Sequence, residues 1–242
     1  MIAGMMARRI AAAMNDPYAE YVVALLPMTG ADGDQSWPDL IGTTWQRNTG
    51  AETSGPYVDD EKTVFGQNTT RFVVPYSYGT DRGEFITPTT RQQSLMMEDV
   101  PFVIEGWFSP LSPVISAGFW WSSGVQNSTS GLLLGVTPSE VLWRSNVFTH
   151  LSASVSIGST PVHIAWVRDG SARRIYLSGA LVASDSNGAF DNDDSDSSRI
   201  GTVAGNLYYG YNGWIGPVRV TKGSIRGYTG STIDVPTDVF AL

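Results

Sequence analysis

The sequence predicts an all-β fold, a two-sheet antiparallel sandwich preceded by one short N-terminal α-helix. Three observations predict it. Short runs rich in Val, Ile, Phe, Tyr and Trp recur from residue 21 onward, with the spacing of strands rather than helices. Their separators carry turn chemistry, as at Gly30-Ala31-Asp32-Gly33, Thr137-Pro138, Asp169-Gly170, Ser178-Gly179 and Asn212-Gly213. The 242 residues are 42% hydrophobic but only 16% charged, with 26 glycines and 13 prolines, which suits one large turn-rich β-domain.

Residues 3–14 are mostly Ala, Met and Arg, all good helix formers, and Asn15-Asp16-Pro17 stops them. Ile2, Met6, Ile10 and Met14 recur at a spacing of four and form one apolar stripe. Met6, Ile10 and Met14 are therefore candidates for a docking peg on another subunit, while packing on the chain's own domain explains the same stripe. The expected division is a helical segment over 1–15 and one sandwich over 16–242. Strands are predicted near 21–28, 70–75, 100–109, 114–121, 130–136, 139–145, 149–157, 161–169, 172–178, 180–184, 198–203 and 212–221. Residues 163–183 read as a three-stranded meander turned at Asp169-Gly170 and Ser178-Gly179, with the Asp-Gly pair supplying the positive φ of a tight turn.

The formal net charge of -8 argues against nucleic acid and against anionic membranes, because phosphate binding needs a surplus of Lys and Arg. Zero cysteines exclude disulfides, thiolate metal sites and thiol nucleophiles. The apolar run Ile10-Ala11-Ala12-Ala13-Met14 is too short for an export signal or a membrane span, and no later stretch approaches spanning length. Membrane insertion is not expected.

Four blocks in a fixed order carry a resemblance. They are Tyr21-Val22-Val23-Ala24-Leu25-Leu26-Pro27-Met28, followed by Val64-Phe65-Gly66-Gln67; Phe102-Val103-Ile104-Glu105-Gly106-Trp107-Phe108; His163-Ile164-Ala165-Trp166-Val167-Arg168-Asp169-Gly170 with Ile175-Tyr176-Leu177-Ser178-Gly179; and Arg199-Ile200-Gly201 with the run from Tyr211 to Gly223. Together with the tail to Phe240 they resemble the concanavalin A-like lectin/glucanase superfamily, specifically the laminin-G-like modules of phage structural proteins. The resemblance implies two curved sheets in a jelly roll, with first and last strands close together. Many relatives carry an acidic pair where this chain has Ile215-Gly216-Pro217-Val218-Arg219. Any role of those carboxylates cannot be carried over.

The glucanase branch prompts a search for catalysis. A retaining glycosidase needs two carboxyl groups roughly 5 Å apart. On its predicted strand face Glu105 has only Pro101, Val103, Trp107 and Ser109 as neighbours, and the nearest acids, Glu98 and Asp99, precede the strand. His150 and His163 lie on separate strands without Asp or Glu at ligand spacing. No enzyme is expected. In the acid-rich loop, Asp191 and Asp193 alternate as oxygen ligands for calcium can, with Asp196 behind them. Against calcium, the EF-hand glycine and terminal glutamate are missing, and polar loops are ordinarily just solvated. No other cofactor is suggested.

Aromatic residues are the remaining candidates. An exposed Trp or Tyr can cover the apolar face of a sugar ring. Trp107, Trp166, Tyr176, Tyr211 and Trp214 are expected in the core, whereas Trp121, Trp143, Tyr208 and Tyr209 are the candidate carbohydrate contacts. A Trp at a subunit contact has the same signature. Neighbouring strand residues face opposite ways, so one of Trp120 and Trp121 should point inward and the other outward. The expected function is a non-catalytic virion protein, a capsid decoration or tail-associated module. Its expected partners are other virion proteins, host-surface glycans and further copies of itself. A purely architectural virion component without a glycan site is the alternative, and a secreted glycan-active enzyme a distant third.

Overall fold

The computed structural model describes residues 16–47, 55–73, 84–97, 99–112, 118–123, 131–145, 149–186, 198–203 and 210–240. The predicted N-terminal helix, with Met6, Ile10 and Met14, lies outside them. The strands are β1 (Val22–Leu26), β2 (Trp45–Arg47), β3 (Tyr57–Val64), β4 (Gln67–Phe72), β5 (Ile86–Pro88), β6 (Phe102–Pro110), β7 (Phe119–Ser123), β8 (Leu132–Val136), β9 (Glu140–Ser145), β10 (Thr149–Ser154), β11 (Val162–Asp169), β12 (Ala172–Leu177), β13 (Ala180–Asp185), β14 (Arg199–Ile200) and β15 (Gly213–Lys222). They form two antiparallel sheets. One has the order β13-β12-β11-β6-β15-β4-β3, with β1 also on β15, and the other has the order β10-β9-β8-β7-β14-β5-β2.

Strict alternation on β6 separates the two faces of the larger sheet. Phe102, Ile104 and Phe108 enter the interior, where they meet Ile164 and Trp166 of β11 and Trp120, Leu134 and Trp143 of the smaller sheet. Val103, Glu105 and Trp107 point the other way. Trp107 therefore leaves the inter-sheet core where it was expected, and packs with Val22, Leu25 and Phe240 on the outer face. Tyr176 is buried as expected, but it too lies on that outer face, with Val103, Ala165 and Val167. Residues 223–240 cover it. Ile225, Tyr228 and Ile233 pack on this second cluster, and Thr232 bridges to Ala180.

β15 pairs with β6 along one edge and with two strands on the other. β4 takes Gly213 to Ile215, and β1 takes Val218 to Thr221. The change of partner falls at Gly216-Pro217, where the β6 register shifts. Proline has no N–H for the ladder, so a bulge is where a strand tolerates it. A Cβ at Gly216 would lie 2.9 Å from Val64 Cγ2 and 3.1 Å from Trp107 Cβ.

β2, β3 and β5 were not foreseen. β2 and β5 are three residues long, and β3 is an edge strand whose Asp59, Asp60, Glu61 and Lys62 break the hydrophobic pattern. Charge on an edge discourages pairing with a second chain. The β11–β12 turn also differs in detail, because Asp169 still pairs with Ala172 and the two turn residues are Gly170 and Ser171. Only Gly170 of the Asp-Gly pair has positive φ, at 57°.

Candidate functional site

Two places gather polar chemistry among the described residues. The first is an ionic cluster on the outer face of the larger sheet. Glu105 of β6, His163 of β11 and Arg219 of β15 are neighbours across the ladder, because Arg219 pairs with Glu105 in register and His163 lies on the diagonal. Arg219 Nη2 lies 2.7 Å from Glu105 Oε1, and His163 Nε2 lies 3.0 Å from Glu105 Oε2. Tyr228 Oη donates to the same Oε2 at 3.3 Å. Asp16 joins from the other end of the chain, accepting from Arg226 at 2.8 Å and from Arg219 at 3.4 Å. Phe240 stacks on the Arg219 guanidinium, 4.3 Å from its ring centre.

Burial by itself would raise the Glu105 carboxyl, but the Arg219 charge foremost, with the His163 hydrogen bond and Arg226, outweighs it and holds the group at about 2. Burial, and then the Glu105 charge, push the Tyr228 phenol upward. A carboxylate kept ionised only accepts hydrogen bonds, so the His163 Nε2 carries the proton. Both side chains are fully buried, at 0% exposure. Glu105 neither donates a proton nor meets a substrate there. The cluster fastens residues 223–240 and Asp16 onto the sheet.

The sequence offers Glu105 and His163 singly, each without a partner, and gives no sign of this pairing or of Arg219, Arg226 and Asp16. The partners of His163 and Glu105 stand on different strands, beyond any local spacing. Asp99 is occupied as well, paired with Arg168.

The second place is a groove of about 470 Å³ between β1 and the loops that flank β2 and β5. Val22, Val23 and Ile41 supply its apolar surface, and Thr43, Thr44, Thr89, Thr90, Gln92 and Ser94 its polar groups. Asp39 fixes one wall. Its carboxylate accepts the N–H groups of Leu25 at 3.0 Å and Ile41 at 2.9 Å, and the indole N–H of Trp45 at 3.2 Å. The Thr89 N–H donates to the Thr44 carbonyl at 2.9 Å and ties the walls together. On the far wall Gln92 Nε2 donates to Thr90 Oγ1 at 3.0 Å, and Ser198 Oγ donates to the Leu95 carbonyl at 3.3 Å. Among the described residues no hydrogen bond engages the side-chain hydroxyls of Thr43, Thr44, Thr89 or Ser94.

The expected aromatic contacts do not come together on a surface. Trp121 and Trp143 are both fully buried in the inter-sheet core, a correction to their expected exposure. Trp121 lies 6.5 Å from Trp45, and Trp143 lies 5.5 Å from Phe102, between ring centres. Trp120 and Trp121 both enter the core, against simple alternation, because the β7–β8 register shifts between Phe119 and Trp121. Trp166 and Tyr211 lie in the inter-sheet core as expected, whereas Trp214 is buried outside it, under Arg71 and Lys62. Tyr208, Tyr209, Asp191, Asp193 and Asp196 lie outside the described residues. The groove was missed because isolated threonines in loops carry no signature.

No family model and no curated protein matches the chain. Solved structures do, at low identity. Domain 4 of AbnA, an extracellular arabinanase from Geobacillus stearothermophilus, in complex with arabinotriose, is 14% identical with a TM-score of 0.58, and the match covers 84% of this chain and 93% of that one. The binding domain of Paraclostridial Mosquitocidal Protein 1 is 14% identical with a TM-score of 0.56, over 84% of this chain and 49% of that one. The receptor binding domain of botulinum neurotoxin D is 12% identical with a TM-score of 0.54, over 84% and 49%. The chain thus spans about half the length of these two toxin domains. What it shares with all three is the two-sheet jelly-roll sandwich.

Proposed function

We propose that this chain is a non-catalytic attachment module that binds a host-surface glycan and is carried on a bacteriophage particle as a capsid decoration or tail-associated protein. The observation that carries the reading is the groove beside β1, whose hydroxyl and amide groups on two braced walls suit a polyol ligand. Whole-domain likeness to a sandwich in complex with arabinotriose supports it, as do the two toxin binding domains. The reading without catalysis draws on Glu105, the acid of the core strand, which is ion-paired under the tail. The particle role draws on the resemblance of the four sequence blocks to phage laminin-G-like modules. Weak single sites suffice on a particle that displays many copies, since avidity multiplies them.

A glycan array probed with the full chain tests attachment, and saturable binding to a defined subset is the expected result. Binding to none of the array would favour the architectural alternative, for which the stripe of Met6, Ile10 and Met14 is the supporting feature. Deleting residues 1–14 tests the particle role. The shortened chain should fold and stay monodisperse yet fail to enter particles, and undiminished incorporation would remove the docking peg.

A further inference from the structure

We infer that the groove beside β1 is the glycan-contacting site itself, and that it takes the end of an uncharged saccharide rather than an acidic one. The inference rests on the attachment reading above and adds the ligand class. Among the described residues no ionisable side chain lines the groove. Asp39, directly behind it, is buried and already accepts three hydrogen bonds. Arg91, the cation between Thr90 and Gln92 in sequence, is outside the lining and donates to Met96 Sδ at 3.5 Å. A carboxylated sugar would enter without a counter-charge, on a chain whose net charge is -8.

A neutral sugar meets what the groove offers. Its hydroxyls both donate and accept, as do those of Thr43, Thr44, Thr89 and Ser94, which have no partner among the described residues to give up. Its C–H faces suit Val22, Val23, Ile41 and the threonine methyls. Among the described lining residues there is no aromatic ring, so stacking on them contributes nothing and single-site affinity is weak. The walls are braced beforehand by Asp39 and by the Thr89–Thr44 bond, so little ordering accompanies binding.

The test pairs an array of neutral oligosaccharides (arabinotriose, maltotriose, cellotriose, chitobiose) and acidic ones (sialyllactose, trigalacturonic acid) with the double variant Thr43→Val, Thr89→Val. Valine keeps the shape and removes the hydroxyl. Neutral ligands should bind the native chain and lose about tenfold or more in affinity with the variant, at unchanged melting temperature. Binding confined to acidic sugars, or neutral binding untouched by the double variant, would overturn the inference and leave the attachment reading standing. Binding to no sugar would overturn both.

Discussion

Asp16 and Arg226 stand 210 positions apart in the chain, and the guanidinium Nη2 of Arg226 lies 2.8 Å from each oxygen of the Asp16 carboxylate. Through Arg219 this pair continues to Glu105 and His163, so one buried cluster joins both ends of the described chain to the centre of the larger sheet.

Arg226→Ala should therefore cost about 3 kcal/mol of folding stability, because removing one member of a buried pair leaves the Asp16 charge poorly compensated. Urea unfolding measures it. Faster proteolysis within residues 223–240 should accompany the loss. A change below about 1 kcal/mol with an intact tail would mean that the cluster does not fasten it.

Acid should weaken the fold in a defined window. The Glu105 carboxyl is held at about 2 in the folded chain against an ordinary value of 4.5, so its contribution is complete above pH 4.5 and disappears as pH falls toward 2. That shift corresponds to on the order of 3 kcal/mol. Glu105→Gln should be less stable than the native chain at pH 7, and the difference should shrink across this window. Chemical unfolding of both proteins from pH 7 to pH 2 checks it. Parallel curves would show that Glu105 is not the titrating group.

Trp121→Ala and Trp143→Ala should each lose about 3–5 kcal/mol, as large-to-small changes in a packed core do. Trp143→Phe should stay within about 1.5 kcal/mol, since the Trp143 indole N–H has no hydrogen-bond partner in the structure. Thermal melting separates the two substitutions. Undiminished glycan binding by Trp143→Phe would confirm that this tryptophan acts through packing alone.

Asp39→Ala should loosen one wall of the groove. The N–H groups of Leu25, Ile41 and Trp45 would lose their acceptor, and orphaned buried donors cost about 1–3 kcal/mol each. Hydrogen exchange should quicken at Leu25 and Ile41. Unchanged exchange would show that the loop is held by other contacts.

The framework strands were legible because their residues satisfy two demands at once. On β6 and β11, apolar or aromatic residues fill both faces, and one face belongs to the inter-sheet core while the other lies under the tail. That second cover was not legible, so Trp107 was assigned to the wrong face. Trp121 was misread for a related reason, since alternation fails where the β7 register slips, and nothing local in Phe119-Trp120-Trp121 announces the slip. The charged edge strand β3 hid because its exposed face needs no apolar residues. Neither polar site was legible either. Glu105, His163 and Arg219 become neighbours only through strand order, and the groove only through two loops brought together by Asp39 and Thr89.

The partner change at Gly216-Pro217 has a consequence for biosynthesis. β15 lies between β6 on one side and β4 and β1 on the other, so until residue 222 has been synthesised the larger sheet has a gap at its middle and its two parts cannot join. Such sequence-distant pairing slows closure to the order of milliseconds to seconds. A nascent chain without β15 would hold the edge of β6 unpaired and open to a chaperone or to a second, equally unfinished copy.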